Sequence, residues 1–167
     1  MFSIKSFRHD QITSTIIDEI IKVKSVAWNF DYEAQKDWIK NNLKDADIHL
    51  LLFQKEKVIA YLNLIELDIK VDVLDYKAYG IGNVCALEKG RGWGKELIMQ
   101  TNKYLIKKDK VGLLFCREKL INFYHKNDWV IVNNNQLTLL KKDIEIYTMV
   151  FNLPNKFINI TYMGHYF

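Results

Sequence analysis

Five of the chain's seven glycines fall within residues 80–94: Gly80, Gly82, Gly90, Gly92 and Gly94. The residues before them, about 76–86, read as a strand. From about Gly92 onward Leu97, Ile98, Thr101, Tyr104 and Leu105 share one helical face. Strand, glycine-rich turn and helix in that order leave the backbone few choices. Glycine supplies positive φ in a tight turn and lets a ligand lie against bare main chain. The first amides of a helix have no intrahelical acceptor and stand at the positive end of its dipole. The amides of Arg91, Gly92, Trp93, Gly94 and Lys95 therefore form a candidate anion site, to which Lys89, Arg91 and Lys95 add charge. The competing reading, a plain strand-to-helix turn, leaves the crowding of glycines and cations unexplained.

The remaining sequence reads as one domain over residues 1–167. The chain has 167 residues, 49% hydrophobic and 26% charged, enough for a core without disulfide or metal. Cys85 and Cys116 sit in apolar contexts and read as reduced core thiols. His9, His49, His125 and His165 lack zinc-ligand spacing, so no metal site is expected. The N-terminus lacks a signal-peptide layout, and no apolar run approaches the ~20 residues of a membrane helix. A cytoplasmic protein without a membrane partner is expected. The net charge of +4 suits an anionic small ligand. Its basic residues are dispersed, so no nucleic-acid partner is expected.

Residues 1–7 read as a strand. Asp10 is a candidate N-cap for a helix carrying Ile12, Ile16, Ile20, Val23 and Ala27, and Asp31 for one carrying Ala34, Trp38, Ile39 and Leu43. Apolar runs at 48–53 and 58–65 around the polar turn 54–57 predict an antiparallel hairpin, which 66–75 extends or flanks as an edge ribbon. Strands follow at 111–116, 129–132 and 144–151, with a short helix around Leu120, Phe123 and Tyr124. The aromatic tail, residues 156–167, is expected to pack on the domain. The order argues for α/β class with a mixed sheet.

Known phosphate loops fail against residues 80–97. A P-loop needs four residues between its glycines and a hydroxyl after the lysine, whereas Gly90 and Gly94 enclose three residues and Glu96 follows Lys95. The dinucleotide motif fails because Lys-Glu-Leu follows Gly92-Trp93-Gly94. The run Lys89-Gly90-Arg91-Gly92-Trp93-Gly94, preceded by Gly82, Asn83 and Val84, resembles the acetyl-coenzyme A loop of the GNAT acetyltransferase superfamily, with Lys89 where Arg or Gln is usual. Residues 113–129 resemble the second signature of that family: a strand, a helix carrying Phe123-Tyr124, then a turn to Trp129. Asp128 replaces the usual Gly, which its turn propensity allows, and Arg117 stands where Asn is frequent. The resemblance covers residues 1–150.

The resemblance implies a GNAT-like α/β fold: a mixed, mostly antiparallel sheet of six or seven strands flanked by about four helices. It implies acetyl-CoA as cosubstrate, held at pyrophosphate by loop amides. Four or five such bonds supply about 6–15 kcal/mol before association costs. The strand before the loop then runs beside the pantetheine arm, the amide near Val84 polarises the thioester carbonyl, and Tyr124 serves as general acid toward the leaving thiolate. The family often places its base where Gly80 and Gly82 stand, so the base is sought elsewhere: Glu66 first, with Asp68, Tyr79, the Phe167 carboxylate and, more weakly, His49 as alternatives. Cys85 lacks an activating base and is assigned to packing. Gly80 and Gly82 are expected to leave room beside the thioester, and the acidic residues Glu66, Asp68, Asp72 and Asp75 to receive a cationic acceptor. The expected reaction is acetyl transfer to a primary amine of a small molecule: an amino sugar, an aminoglycoside-like or a polyamine-like acceptor. The alternatives are transfer to a peptide or protein amine, or an acyl-CoA-binding module without turnover. A homodimer through the edges of the last strands is a family-level expectation.

Overall fold

The computed structural model describes residues 1–153 and 156–167. In chain order the elements are β1 (Phe2–Arg8), α1 (Ser14–Ala27), α2 (Tyr32–Asn42), β2 (Ile48–Gln54), β3 (Lys57–Val71), β4 (Leu74–Ala86) and α3 (Trp93–Lys107). There follow β5 (Val111–Arg117), α4 (Glu118–His125), β6 (Val130–Val132), β7 (Leu137–Leu139), β8 (Ile146–Phe151) and β9 (Ile160–Tyr162). The strands hydrogen-bond in the order β1-β2-β3-β4-β5-β8-β6, with β9 pairing β3 and β7. The β4–β5 and β7–β9 pairs are parallel, whereas β1–β2, β2–β3, β3–β9, β5–β8 and β6–β8 are antiparallel. The α/β class and the mixed, mostly antiparallel sheet agree with the sequence reading, and the short strands β7 and β9 enlarge it.

The chain divides into two compact units, one of residues 1–65 and 82–101, the other of 66–81 and 102–167. The first is built on α1 and α2. Ile20, Ile21 and Val23 of α1 and Ile39 of α2 are buried with Leu51, Phe53, Val58 and Tyr61. Burying each such side chain contributes roughly 1.5–3 kcal/mol. Asp31 caps α2 as predicted, its carboxylate accepting from the Ala34 amide at 2.8 Å. The predicted Asp10 cap is wrong. Arg8 holds the Asp10 carboxylate through two bonds of 3.0 and 2.9 Å, a short 3-10 turn occupies residues 9–11, and Thr13 caps α1 instead. The 54–57 turn is tighter than expected, because Gln54 and Lys57 still pair and Lys55 makes the turn at φ 56.

In the second unit β3 runs on to Val71, so residues 66–71 extend the hairpin strand. The unit buries Ile69, Ala78, Leu113, Val132, Val150 and Ile160 together. Asp72, at φ 55, fastens the tail: its Oδ1 accepts from the amides of Ile158 and Asn159 at 2.9 and 2.8 Å. The tail contributes β9, whose Thr161 and Ile160 pair with Lys70 and Val71 of β3.

Candidate active site

The loop between β4 and α3 is a bare main-chain cradle. Gly90 and Gly92 hold φ of 79 and 76, and a Cβ built on either would meet nothing within 4 Å. Both positions need glycine for conformation, and both present open backbone. The first backbone bond at the helix start runs from the Glu96 amide to the Gly92 carbonyl at 3.0 Å, which leaves the preceding amides outside the ladder. Trp93 is buried and anchors the helix start, so its contribution to the cradle is its amide. Lys89, Arg91 and Lys95 are exposed, and Arg91 Nε bonds Glu88 at 2.9 Å. A ligand phosphate competes with that exposed pair, whose strength is modest.

Ahead of the loop, Gly82 is buried and Asn83 sits at φ 53, a left-handed kink within β4. A Cβ on Gly82 would stand 3.2 Å from Nδ2 of Asn63, a buried residue of β3. Asn83 Nδ2 donates to Asn63 Oδ1 at 2.7 Å. The predicted room at the two glycines is therefore filled. Gly82 faces the Asn63 amide, and a Cβ on Gly80 would meet Cε1 of Phe167 at 2.7 Å. Asn63 escaped the sequence reading, although a lone polar residue inside the apolar run 58–65 was a usable signal.

Cys85 is buried, and its thiol meets the Tyr61 carbonyl at 3.7 Å. Burial pushes it up to about 12, so it stays a thiol at neutral pH and is no nucleophile. His49 is excluded as a base on similar grounds. Its two nitrogens meet Tyr61 Oη at 2.9 Å and His9 Nδ1 at 3.0 Å, and burial lowers it to about 3.

In the second unit, Tyr124 lies on α4 and is 5% exposed, its ring 5.0 Å from that of Phe123. Burial, with a smaller contribution from Cys116, raises the phenol well above the ordinary tyrosine range. The turn after α4 forms with Asp128 at φ 68, the conformation its replacement of glycine requires, and the Trp129 amide donates to the Tyr124 carbonyl at 3.2 Å. Arg117 is exposed, 4.0 Å from Glu145.

Among the base candidates, Glu66 accepts from the Tyr79 hydroxyl at 3.4 Å. Asp68 is paired with Lys77 at 2.8 Å, Asp75 with Lys70 at 3.9 Å, and Asp72 is engaged with the tail. The four acidic residues thus each have a partner within the protein, Asp68 and Asp75 through exposed pairs of modest strength. Among the described residues no cluster of three His, Cys, Asp or Glu side chains could hold a metal. No described helix is long and apolar enough to cross a membrane.

No family model and no curated protein matches the sequence. Solved structures do match. ElaA of Escherichia coli aligns at 20% identity and TM-score 0.63 over 90% of this chain and 99% of its own. An acyl-CoA N-acyltransferase from Pseudomonas aeruginosa aligns at 17% and 0.64, with the same coverage of both chains. The N-acetyltransferase PseH of Campylobacter jejuni, in complex with acetyl coenzyme A, aligns at 18% and 0.59 over 89% of this chain and 98% of its own. Similarity at this level of identity speaks for architecture, and it agrees with the motif at residues 89–94: the chain has the fold of the GNAT superfamily of N-acetyltransferases.

Proposed function

We propose that the chain is an N-acetyltransferase that moves an acetyl group from acetyl-CoA to a primary amine of a small molecule, in a single domain spanning residues 1–167. The observation that carries this reading is the pair of positive-φ glycines at Gly90 and Gly92, open on their missing-Cβ sides at the start of a fifteen-residue helix. Diphosphate is the ligand that such a cradle fits. Gly82, Asn83 and Val84 line the path of the pantetheine arm, and Lys89, Gly90, Arg91, Gly92, Trp93, Gly94 and Lys95 hold the pyrophosphate.

Transfer proceeds by direct attack. The neutral amine adds to the thioester carbonyl carbon, a C–N bond forms, and the C–S bond breaks as the electron pair leaves on sulfur. The Val84 amide stabilises the charge that develops on the carbonyl oxygen. Tyr124 acts as general acid toward sulfur. Its raised pKa keeps it a neutral phenol at neutral pH. As the C–S bond breaks it gives its proton to the departing sulfur and is reprotonated from solvent, which receives in turn the proton that the base has taken from the amine, so that one proton passes net from amine to thiol. Glu66 receives the amine proton, with the Tyr79 hydroxyl orienting its carboxylate.

Titration calorimetry with acetyl-CoA, followed by a panel of amino sugars, aminoglycosides and polyamines read by free-thiol release, tests this reading. Acetyl-CoA binding with amine-dependent thiol release supports it. Binding without release from any amine, peptide amines included, overturns the catalytic reading, and no binding overturns the whole.

A further inference from the structure

Asn63 is fully buried in β3. Its Oδ1 accepts the 2.7 Å bond from Asn83, while its Nδ2 has no hydrogen-bond partner among the described residues. A buried donor left unpaired is costly, and such groups in folded proteins are rare. A leucine of nearly the same shape would avoid that cost, and what it would lack is the bond that the Asn63 oxygen makes to Asn83. The oxygen holds Asn83 at φ 53, a conformation that Asn visits but does not prefer. Gly82 makes the arrangement possible, since any side chain there would press against the Asn63 amide at 3.2 Å or less. The peptide that follows the kink carries the Val84 amide.

We propose that Asn63 is a positioning residue: through its hydrogen bond to Asn83 it holds the kink of β4 and so aims the Val84 amide at the acyl carbonyl. The proposal rests on the acyl-transfer reading above and adds to it a residue outside the loop and outside the reacting groups. Backbone amides stabilise a developing oxyanion only when they are fixed beforehand. Asn63 supplies that fixation from the neighbouring strand.

Asn63→Leu, Asn83→Ala and the double variant test it, with thermal midpoint, acetyl-CoA affinity, kcat and amide hydrogen exchange at Asn83 and Val84 as readouts. The expected result is a kcat reduced roughly 3–10-fold in each variant, the loss of about one hydrogen bond, and no larger in the double variant. Exchange at Asn83 and Val84 rises by a similar factor, and in Asn63→Leu acetyl-CoA affinity stays within about twofold and the midpoint is not lowered. A kcat or a local exchange rate unchanged in Asn63→Leu overturns the proposal, as does a kcat loss that simply tracks a fall in the midpoint. A wild-type chain that neither binds nor turns over acetyl-CoA sinks the functional reading instead, and the proposal with it.

Discussion

The indole Nε1 of Trp129 donates to Oδ1 of Asn102 at 3.0 Å, and Asn102 Nδ2 donates in turn to the Asn127 carbonyl at 2.8 Å. Trp129 is fully buried, and its ring lies over Gly112 of β5, where an added Cβ would stand 2.5 Å from Cη2. One indole therefore ties α3, the turn after α4 and β5 together. Asn102→Leu leaves the indole and the Asn127 carbonyl unpaired, and Gly112→Ala forces the ring aside. Each is expected to destabilise the fold by about 1–3 kcal/mol in denaturant unfolding. A midpoint unchanged in both would show the ring to be loosely held.

Gly92 offers a separate test of the cradle. Gly92→Ala adds only the strain of a side chain at φ 76, about 1 kcal/mol or slightly more, in a place with room for the methyl. Gly92→Glu adds a negative charge at the amide cluster as well. Calorimetry is expected to show acetyl-CoA affinity falling modestly in the first and at least ~10-fold in the second. Equal affinities for wild type and Gly92→Glu would mean that the loop does not hold the diphosphate.

Tyr124→Phe removes a phenol that burial keeps protonated. The expected outcome is a kcat lowered by about 10²-fold with acetyl-CoA affinity retained, because the hydroxyl acts on the leaving sulfur alone. Stability changes little, since the ring contacts with Phe123 and Trp129 remain. Steady-state turnover beside a thermal melt checks both halves.

Acid sensitivity follows from His49. Its folded-state pKa is depressed to about 3 from the ordinary histidine value of 6.5, by burial first and then by His9 and Lys24. Between those values the unfolded chain binds a proton that the folded chain does not. Stability is complete above pH 6.5 and falls as the pH drops toward 3, by up to ~1.4 kcal/mol per pH unit from this one group. His49→Gln is expected to flatten the stability profile over that range in urea titrations. An unchanged slope would relieve His49 of the role.

Lys24 gives the opposite end of the pH range. Its side chain is 2% exposed, with Nζ 3.9 Å from the centre of the Trp38 ring. Burial lowers its pKa to about 8 from 10.5. Below pH 8 the lysine is charged in both states and the burial penalty is fully present. As pH rises from 8 toward 10.5 the folded chain discharges first, so this group makes stability rise. The gain is on the order of 2–3 kcal/mol, less what the ring contact returns at lower pH. Lys24→Met is expected to be at least as stable as wild type at pH 7 and to lack the rise in thermal midpoint.

What the residue order determined by itself is local. The apolar periods of α1 and α2, the Asp31 cap, the β2–β3 hairpin and the strand–loop–helix around Gly90 and Gly92 each depend on neighbours a few residues away, and all stand in the structure. The competition between Arg8 and a helix start for the Asp10 carboxylate was also local, yet side-chain geometry decided it, and the cap moved to Thr13. Tertiary structure alone decided what fills the two β4 glycines, because Phe167 and Asn63 reach them from distant parts of the chain. It decided too that Asp72 clasps the tail 86 and 87 residues away, and that the buried His49 and Tyr61 join the half-buried His9 in one chain of contacts. Periodicity and turn chemistry report on backbone preference over a few residues, whereas partner choice among buried polar groups depends on which strands the sheet brings side by side.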